Sequence, residues 1–161
     1  MDLSSFLAIA AVCAPLVDPS TSQAVVDAES NFNANAIGVV GGSLQRQPRD
    51  RGEALATAKA LVEAGRNFSV GLAQINVHNL APLGLTLTDA FDGCENLRAM
   101  QQILAKCFAR ATQVARPEDS QAALRHALSC YYSGNLTSGI RDGYVRRVVH
   151  AATQVGRRSP P

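Results

Sequence analysis

Apolar residues recur along this chain at helical rather than strand spacing. Leu3, Phe6, Leu7 and Ala10 share one face of a first helix, and Ser20-Thr21-Ser22 offers N-caps for a second that runs to about Asn31. Ala54, Leu55, Ala58, Leu61 and Val62 form a stripe on a helix between Pro48 and Gly65, with Gly65 as its stop. Leu97, Met100, Ile103, Leu104, Cys107 and Phe108 mark a long helix from Glu95 to Thr112. Pro117 opens the next helix, which reaches Tyr132 and stops at Gly134. Tyr144, Val145, Val148 and Val149 line a last one, Gly143 to Ala152. Between these, Asn33 to Gly42 reads as loop, Asn67 to Asn76 as a short strand or a helix entry, and Thr86 to Phe91 as a turn. The pattern predicts one mostly-α domain over residues 1–155, with at most a minor β element, and a flexible polar tail over 156–161.

Size and composition agree with a packed domain. The 161 residues are 47% apolar and 17% charged, a globular balance. Lys and Arg are scattered and the net charge is only +2, so there is no nucleic-acid footprint. No stretch approaches the roughly 18 apolar residues of a membrane span. The apolar start, Phe6 to Val12, lacks a basic leader and follows Asp2 closely. It reads as part of the fold, and an export signal would then lie upstream of this chain.

Four cysteines, Cys13, Cys94, Cys107 and Cys130, permit three full pairings. An even count without a CxxC motif fits disulfides in an oxidising compartment; the alternative is buried free thiols. Cys94 and Cys107 fall on one predicted helix, roughly 20 Å apart at 1.5 Å per residue, too far to bridge. A helical hairpin about Pro117 would let Cys107 face Cys130 and leave Cys13 for Cys94, a pairing held here as a hypothesis.

Three segments carry candidate chemistry. Glu29 shares its helix face with Val25, Val26 and Phe32. A carboxyl on an apolar stripe is pushed toward its neutral form, as a general acid needs. Taken alone, a Glu at the stripe's edge with its carboxylate in water is the commoner arrangement. Gly71-Leu72-Ala73-Gln74-Ile75-Asn76 sets two amides beside an apolar segment, suited either to sugar hydroxyls and N-acetyl groups or to the backbone of a buried turn. Cys130-Tyr131-Tyr132-Ser133-Gly134-Asn135 ends a helix; Tyr131 lies on the face of Leu124 and Leu128, with either a cleft or plain capping as its purpose. His78, His126 and His150 have no metal-ligand spacing, and no GxSxG, Walker or dinucleotide motif occurs, so no metal or cofactor is expected.

Taken in order, Glu29-Ser30, Gly71 to Asn76, Tyr131 to Asn135 and Tyr144-Val145 resemble the motifs of soluble lytic transglycosylase domains: Glu-Ser, Gly-Leu-Met-Gln, Ala-Tyr-Asn-Ala-Gly and a late Tyr-Val. The resemblance covers roughly Ala8 to Ala152. Ala36-Ile37-Gly38-Val39 and Phe91 to Leu97 are similar to the branch that serves type IV secretion and conjugation systems. Departures are Ala73 at the family's Met, Tyr132 at its Asn, and Gly38 where many relatives carry Ser. About two dozen residues near Gln45 to Asn67 are inserted between the first two motifs.

The resemblance implies a lysozyme-like, goose-type fold and a periplasmic enzyme. It implies cleavage of the β-1,4 bond between N-acetylmuramic acid and N-acetylglucosamine in peptidoglycan glycan strands. Periplasmic components of the secretion system are the implied partners. Hydrolytic glycosidases of this kind use two carboxylates. Asp27 points to another helix face than Glu29, and Asp50, Glu53 and Glu63 fall on the exposed side of the inserted helix. A single carboxyl is what the resemblance to lytic transglycosylases implies: Glu29 acts first as acid to the glycosidic oxygen, then as base to the muramic C6 hydroxyl, giving a 1,6-anhydro product. Ser30, Gln74, Asn76, Tyr131, Tyr132 and Tyr144 are the implied substrate-binding residues. A lysozyme-type hydrolase and a non-catalytic wall-binding assembly module are the alternatives.

Overall fold

In the computed structural model, which describes residues 1–114 and 119–158, the chain is mostly helical with one small sheet. It divides into two compact units, residues 1–100 and the residues from Gln101 onward.

The first unit begins with α1 (Leu3–Cys13) and α2 (Pro19–Ser30). Asp2 caps α1 by accepting from the Ser5 N–H, and Asp18 caps α2 through the Ser20 N–H. The second helix thus starts earlier than the Ser20-Thr21-Ser22 cluster suggests, because an Asp stands before the Pro at its first turn. On α1 the buried face is Phe6, Ala10 and Cys13, whereas Leu3 and Leu7 are exposed. The segment read as loop after α2 contains β1 (Ile37–Val39), which pairs antiparallel with β2 (Phe68–Val70), Ile37 opposite Val70 and Val39 opposite Phe68. Next to β2 lies β3 (Ile75–Asn76), giving the order β1-β2-β3. Between β1 and β2 runs α3 (Arg51–Glu63), which begins after Asp50 because its carboxylate accepts the Glu53 N–H. Ala54 and Ala58 are buried, while Val62 faces solvent. Two 3-10 turns, Val77–Asn79 and Ala81–Leu83, lead to α4 (Leu87–Ala90). Thr86 and Asp89 form a reciprocal capping box there, which makes a helical turn of the predicted non-helical one.

The long helix α5 (Gly93–Ala111) starts on Asp92, whose carboxylate accepts the Cys94 and Glu95 N–H groups. Its first turns explain the stretch Phe91 to Leu97 residue by residue. Phe91 and Leu97 are buried. Gly93 packs where a Cβ would lie 3.2 Å from Ile9 Cδ1. Cys94 forms a disulfide with Cys13 of α1, 81 residues away. Asn96, 1% exposed, accepts from the Ala73 N–H at 2.8 Å and donates to the carbonyls of Val70 at 3.0 Å and Ala90 at 2.8 Å.

The second unit holds α6 (Ser120–Ser133), α7 (Ser138–Arg141) and α8 (Tyr144–Arg158). Asp119 caps α6, so Pro117, expected to open it, lies outside the described residues. Gly134 ends α6 in the left-handed conformation, φ 77°, and its N–H bonds the Cys130 carbonyl. Cys130 is bridged to Cys107 of α5, 23 residues away. Ser129, fully buried, donates to the Asn135 carbonyl at 3.0 Å and accepts the Gly139 N–H at 2.8 Å, joining α6 to α7. The helix α8 continues past Ala152, where the sequence suggested an end, into the stretch read as tail; residues 159–161 lie outside those described. Among the described residues no helix is long and apolar enough to cross a membrane.

Replacing Asn96 by Leu keeps the size but strands three buried backbone groups. At about 1–3 kcal/mol for each orphaned group, partly offset by relaxation, N96L should lose about 3 kcal/mol of stability in urea unfolding. Removing the Cys107–Cys130 crosslink as C107A/C130A should cost about 3 kcal/mol by loop entropy, read as a lower melting temperature.

Candidate active site

Glu29 stands in the last turn of α2 and is half-buried. Val25 and Val26, on the preceding turn, are fully buried, so its stem rises from an apolar floor. Ser30 donates to the Val26 carbonyl at 3.3 Å, which turns its hydroxyl back onto the helix. The chain then leaves α2 through two consecutive left-handed residues, Asn31 at φ 49° and Phe32 at φ 60°. A bulky side chain rarely adopts that conformation, which costs on the order of 1 kcal/mol or more per residue. The Phe32 ring holds it by an edge contact with buried Phe6, centroids 5.1 Å apart. Neither this strained exit nor its Phe6 anchor is visible as a motif; Asn at a helix C-cap is the only sequence hint.

The Gly71-Leu72-Ala73-Gln74 turn joins β2 to β3. Leu72 and Ala73 are fully buried, so the position of the family's Met is filled by a small core residue. Gly71 has φ 80°, and a Cβ there would come within 2.3 Å of Asn96 Nδ2 and 2.7 Å of the Ala90 carbonyl, so only glycine fits. Gln74 is itself left-handed, φ 49°, and half-buried. Its Nε2 donates to the carbonyls of Ala36 at 3.1 Å and Gly71 at 3.0 Å. Its Oε1 lies against Gly38: a Cβ on that glycine would sit 2.7 Å from it. The carboxamide is thereby locked with its oxygen beside exposed Gly38. Asn76 is spent locally. Its Nδ2 donates to Asn67 Oδ1 at 2.8 Å, and its Oδ1 accepts the His78 N–H at 3.0 Å as the cap of the next turn. Of the two amides predicted for the cleft, Gln74 sits beside β1 and Asn76 serves a turn.

In the second unit, Tyr131 is half-buried near the end of α6 and Tyr132 is exposed. Tyr144, 1% exposed at the start of α8, stacks on Tyr132, with centroids 4.8 Å apart and planes 14° from parallel. The Arg147 guanidinium lies over the Tyr144 ring at 5.4 Å, a cation–π contact. Tyr132, which replaces the family's Asn, thus extends an aromatic stack with a cationic end. Among the other acidic side chains considered, Glu53 is ion-paired with Arg46 and Asp50 caps α3. Among the described residues no group of three or more His, Cys, Asp or Glu is arranged to hold a metal.

Comparison with known proteins places this geometry in a family. The model of the transglycosylase SLT domain matches residues 6–143, which takes in Glu29, Gln74 and Tyr131 and spans both units. Type IV secretion system protein virB1 of Brucella abortus biovar 1 (strain 9-941) is 49% identical over 152 residues, 91% of this chain and 63% of that protein. Protein virB1 of Agrobacterium fabrum (strain C58 / ATCC 33970) is 34% identical over 157 residues, 96% of this chain and 62% of that protein. Protein virB1 of Rhizobium radiobacter is 36% identical over 146 residues, 89% of this chain and 59% of that protein. The chain thus spans just under two thirds of the length of these relatives. No solved structure matches. The chain belongs to the transglycosylase SLT domain family, with that family's lysozyme-like, mostly helical fold and small sheet.

Proposed function

We propose that this chain is a peptidoglycan lytic transglycosylase that opens the cell wall locally, in the periplasm, for assembly of a type IV secretion system. The observation that carries the reading is Glu29: a half-buried glutamate one helical turn after fully buried Val25 and Val26, inside the matched transglycosylase domain. The names of the virB1 relatives support the secretion role, and the two disulfides suit an oxidising compartment.

In this account Glu29 begins protonated and gives its proton to the glycosidic oxygen as the bond to the muramic C1 breaks. The substrate's N-acetyl group stabilises the cationic carbon, so no second protein carboxylate is needed. The Glu29 carboxylate then removes the proton of the muramic C6 hydroxyl, whose oxygen closes on C1. The C6 hydroxyl's proton replaces the one given to the leaving oxygen, so Glu29 ends protonated as it began, and the anhydro ring forms without water. Gln74 is oriented to accept from a sugar hydroxyl or an N-acetyl N–H through its Oε1. The resemblance carries a substrate contact over to Tyr131, and the Tyr132–Tyr144 stack offers an aromatic face for a sugar ring. Ser30 and Asn76 support backbone at the ends of their elements.

Glu29→Gln keeps the size and removes the transferable proton. The variant should fold as the wild type does but release anhydromuropeptides from sacculi at least 100-fold more slowly, as measured by liquid chromatography. Equal release by folded E29Q would favour the non-catalytic module instead. Gly38→Ala should push the Gln74 carboxamide off its carbonyl partners. Because Gly38 is exposed, the expected result is about a tenfold slower release with an unfolding midpoint close to that of the wild type.

A further inference from the structure

Strand β1 pairs with β2 along one edge only. At Ile37 the opposite edge is closed by a side chain. Gln47 Oε1 accepts from the Ile37 N–H at 2.8 Å, and Gln47 Nε2 donates to the Ile37 carbonyl at 2.9 Å. A carboxamide sets one donor and one acceptor side by side, as one residue of a neighbouring antiparallel strand would. Gln47 therefore acts as a fourth strand one residue long. It comes from the segment inserted between the first two motifs, and that segment is anchored at its own base. Arg46 is ion-paired with Glu53, and Glu53 also accepts the Arg49 N–H at 2.8 Å. Pro48 beside it is buried.

The two neighbours of Ile37 are the residues that seat Gln74. The Ala36 carbonyl accepts both Gln74 Nε2 and, at 2.9 Å, the Gly71 N–H. Gly38 supplies the bare backbone against which Gln74 Oε1 rests. A small displacement of β1 moves both walls of that seat together. We propose that Gln47 is a positioning residue for the Gln74 site, its two bonds to Ile37 fixing the strand whose Ala36 and Gly38 hold the Gln74 carboxamide. The inserted segment is then part of the active-site frame. The effect on turnover rests on the reading of Gln74 as a substrate contact. The clamp itself does not.

Two variants test this in the full chain. Gln47→Met keeps the length and loses both hydrogen bonds. Gln47→Glu keeps the acceptor but sets a carboxylate against the Ile37 carbonyl; once protonated, that acid regains a donor and matches the carboxamide. The charged groups nearest Gln47 along this segment are Arg46, Arg49, Asp50, Arg51 and Glu53. Glu53 is held down to about 2, first by its hydrogen bond from Arg46 and then by the Arg49 N–H, so the anchor stays ionised at pH 4.5. Reversal between pH 7 and 4.5 therefore reports the introduced carboxyl. On soluble glycan strands, Q47M should turn over about tenfold more slowly than wild type with little change in unfolding midpoint. Q47E should show a similar deficit at pH 7 that shrinks to about twofold, relative to wild type at the same pH, at pH 4.5. In nitrogen-15 spectra the Gln74 side-chain amide pair should move in Q47M. Wild-type turnover by Q47M, a Q47E deficit that does not change with pH, or an unmoved Gln74 amide would overturn the proposal. If the wild-type chain releases no anhydro product, the enzymatic reading fails by itself, and the Gln74 amide spectra still decide the clamp.

Discussion

The buried carboxamide of Asn96 is the contact on which the first unit's site depends. A lone polar side chain in a core is costly unless every donor and acceptor finds a partner. Asn96 finds them all on backbone: the Ala73 N–H and the carbonyls of Val70 and Ala90. These bonds fasten the β2–β3 turn to the start of α5. They also explain why residue 71 is glycine, since the space for a Cβ there is taken by Asn96 and the Ala90 carbonyl. With the turn fixed, Gln74 is forced into its left-handed backbone and its carboxamide onto Ala36 and Gly71. The Cys13–Cys94 bridge, two residues before Asn96, ties the same helix start to α1, whose Phe6 steadies the strained exit from the Glu29 helix. One short stretch, Phe91 to Leu97, thereby supports both the turn that carries Gln74 and the helix that steadies the exit from the Glu29 helix.

Much of the helical frame was legible in the sequence, because long amphipathic helices repeat their apolar residues over several turns. The helix through Leu97, Met100 and Leu104 and the one through Leu128 ending at Gly134 follow that pattern closely. Short elements were not legible. Strand β1 is three residues with a central glycine, too brief to show alternation, and it read as loop. The α4 turn is declared only by its Thr86–Asp89 box, a local signal that hydrophobic spacing passes over. The stripe proposed for α3 was too wide, since Val62 is exposed and alanines make the contact.

The proposed site residues divide in the same way. Glu29, Gln74 and Tyr131 stand out as residue types at motif spacing, and the family match covers all three. What orients them was hidden, because side chains that bond to distant backbone leave no periodic trace. Asn96 looks like any polar residue on a helix, and Gln47 like any polar residue in a loop. Asn76, by contrast, had two readings in the sequence. Its bonds to Asn67 and to the His78 N–H favour the plainer one, a turn residue completing its own backbone.

The central claim is chemical: a single carboxyl gives one proton to the leaving oxygen and takes another from the substrate's own hydroxyl, which takes the place of water. Digestion of sacculi in oxygen-18 water, followed by mass spectrometry of the muropeptides, tests it most directly. The account predicts anhydro products carrying no oxygen-18, about 20 mass units lighter than the counterparts that hydrolysis in this water would give. Reducing-end muramic acid labelled with one oxygen-18 would contradict it and make the enzyme a hydrolase.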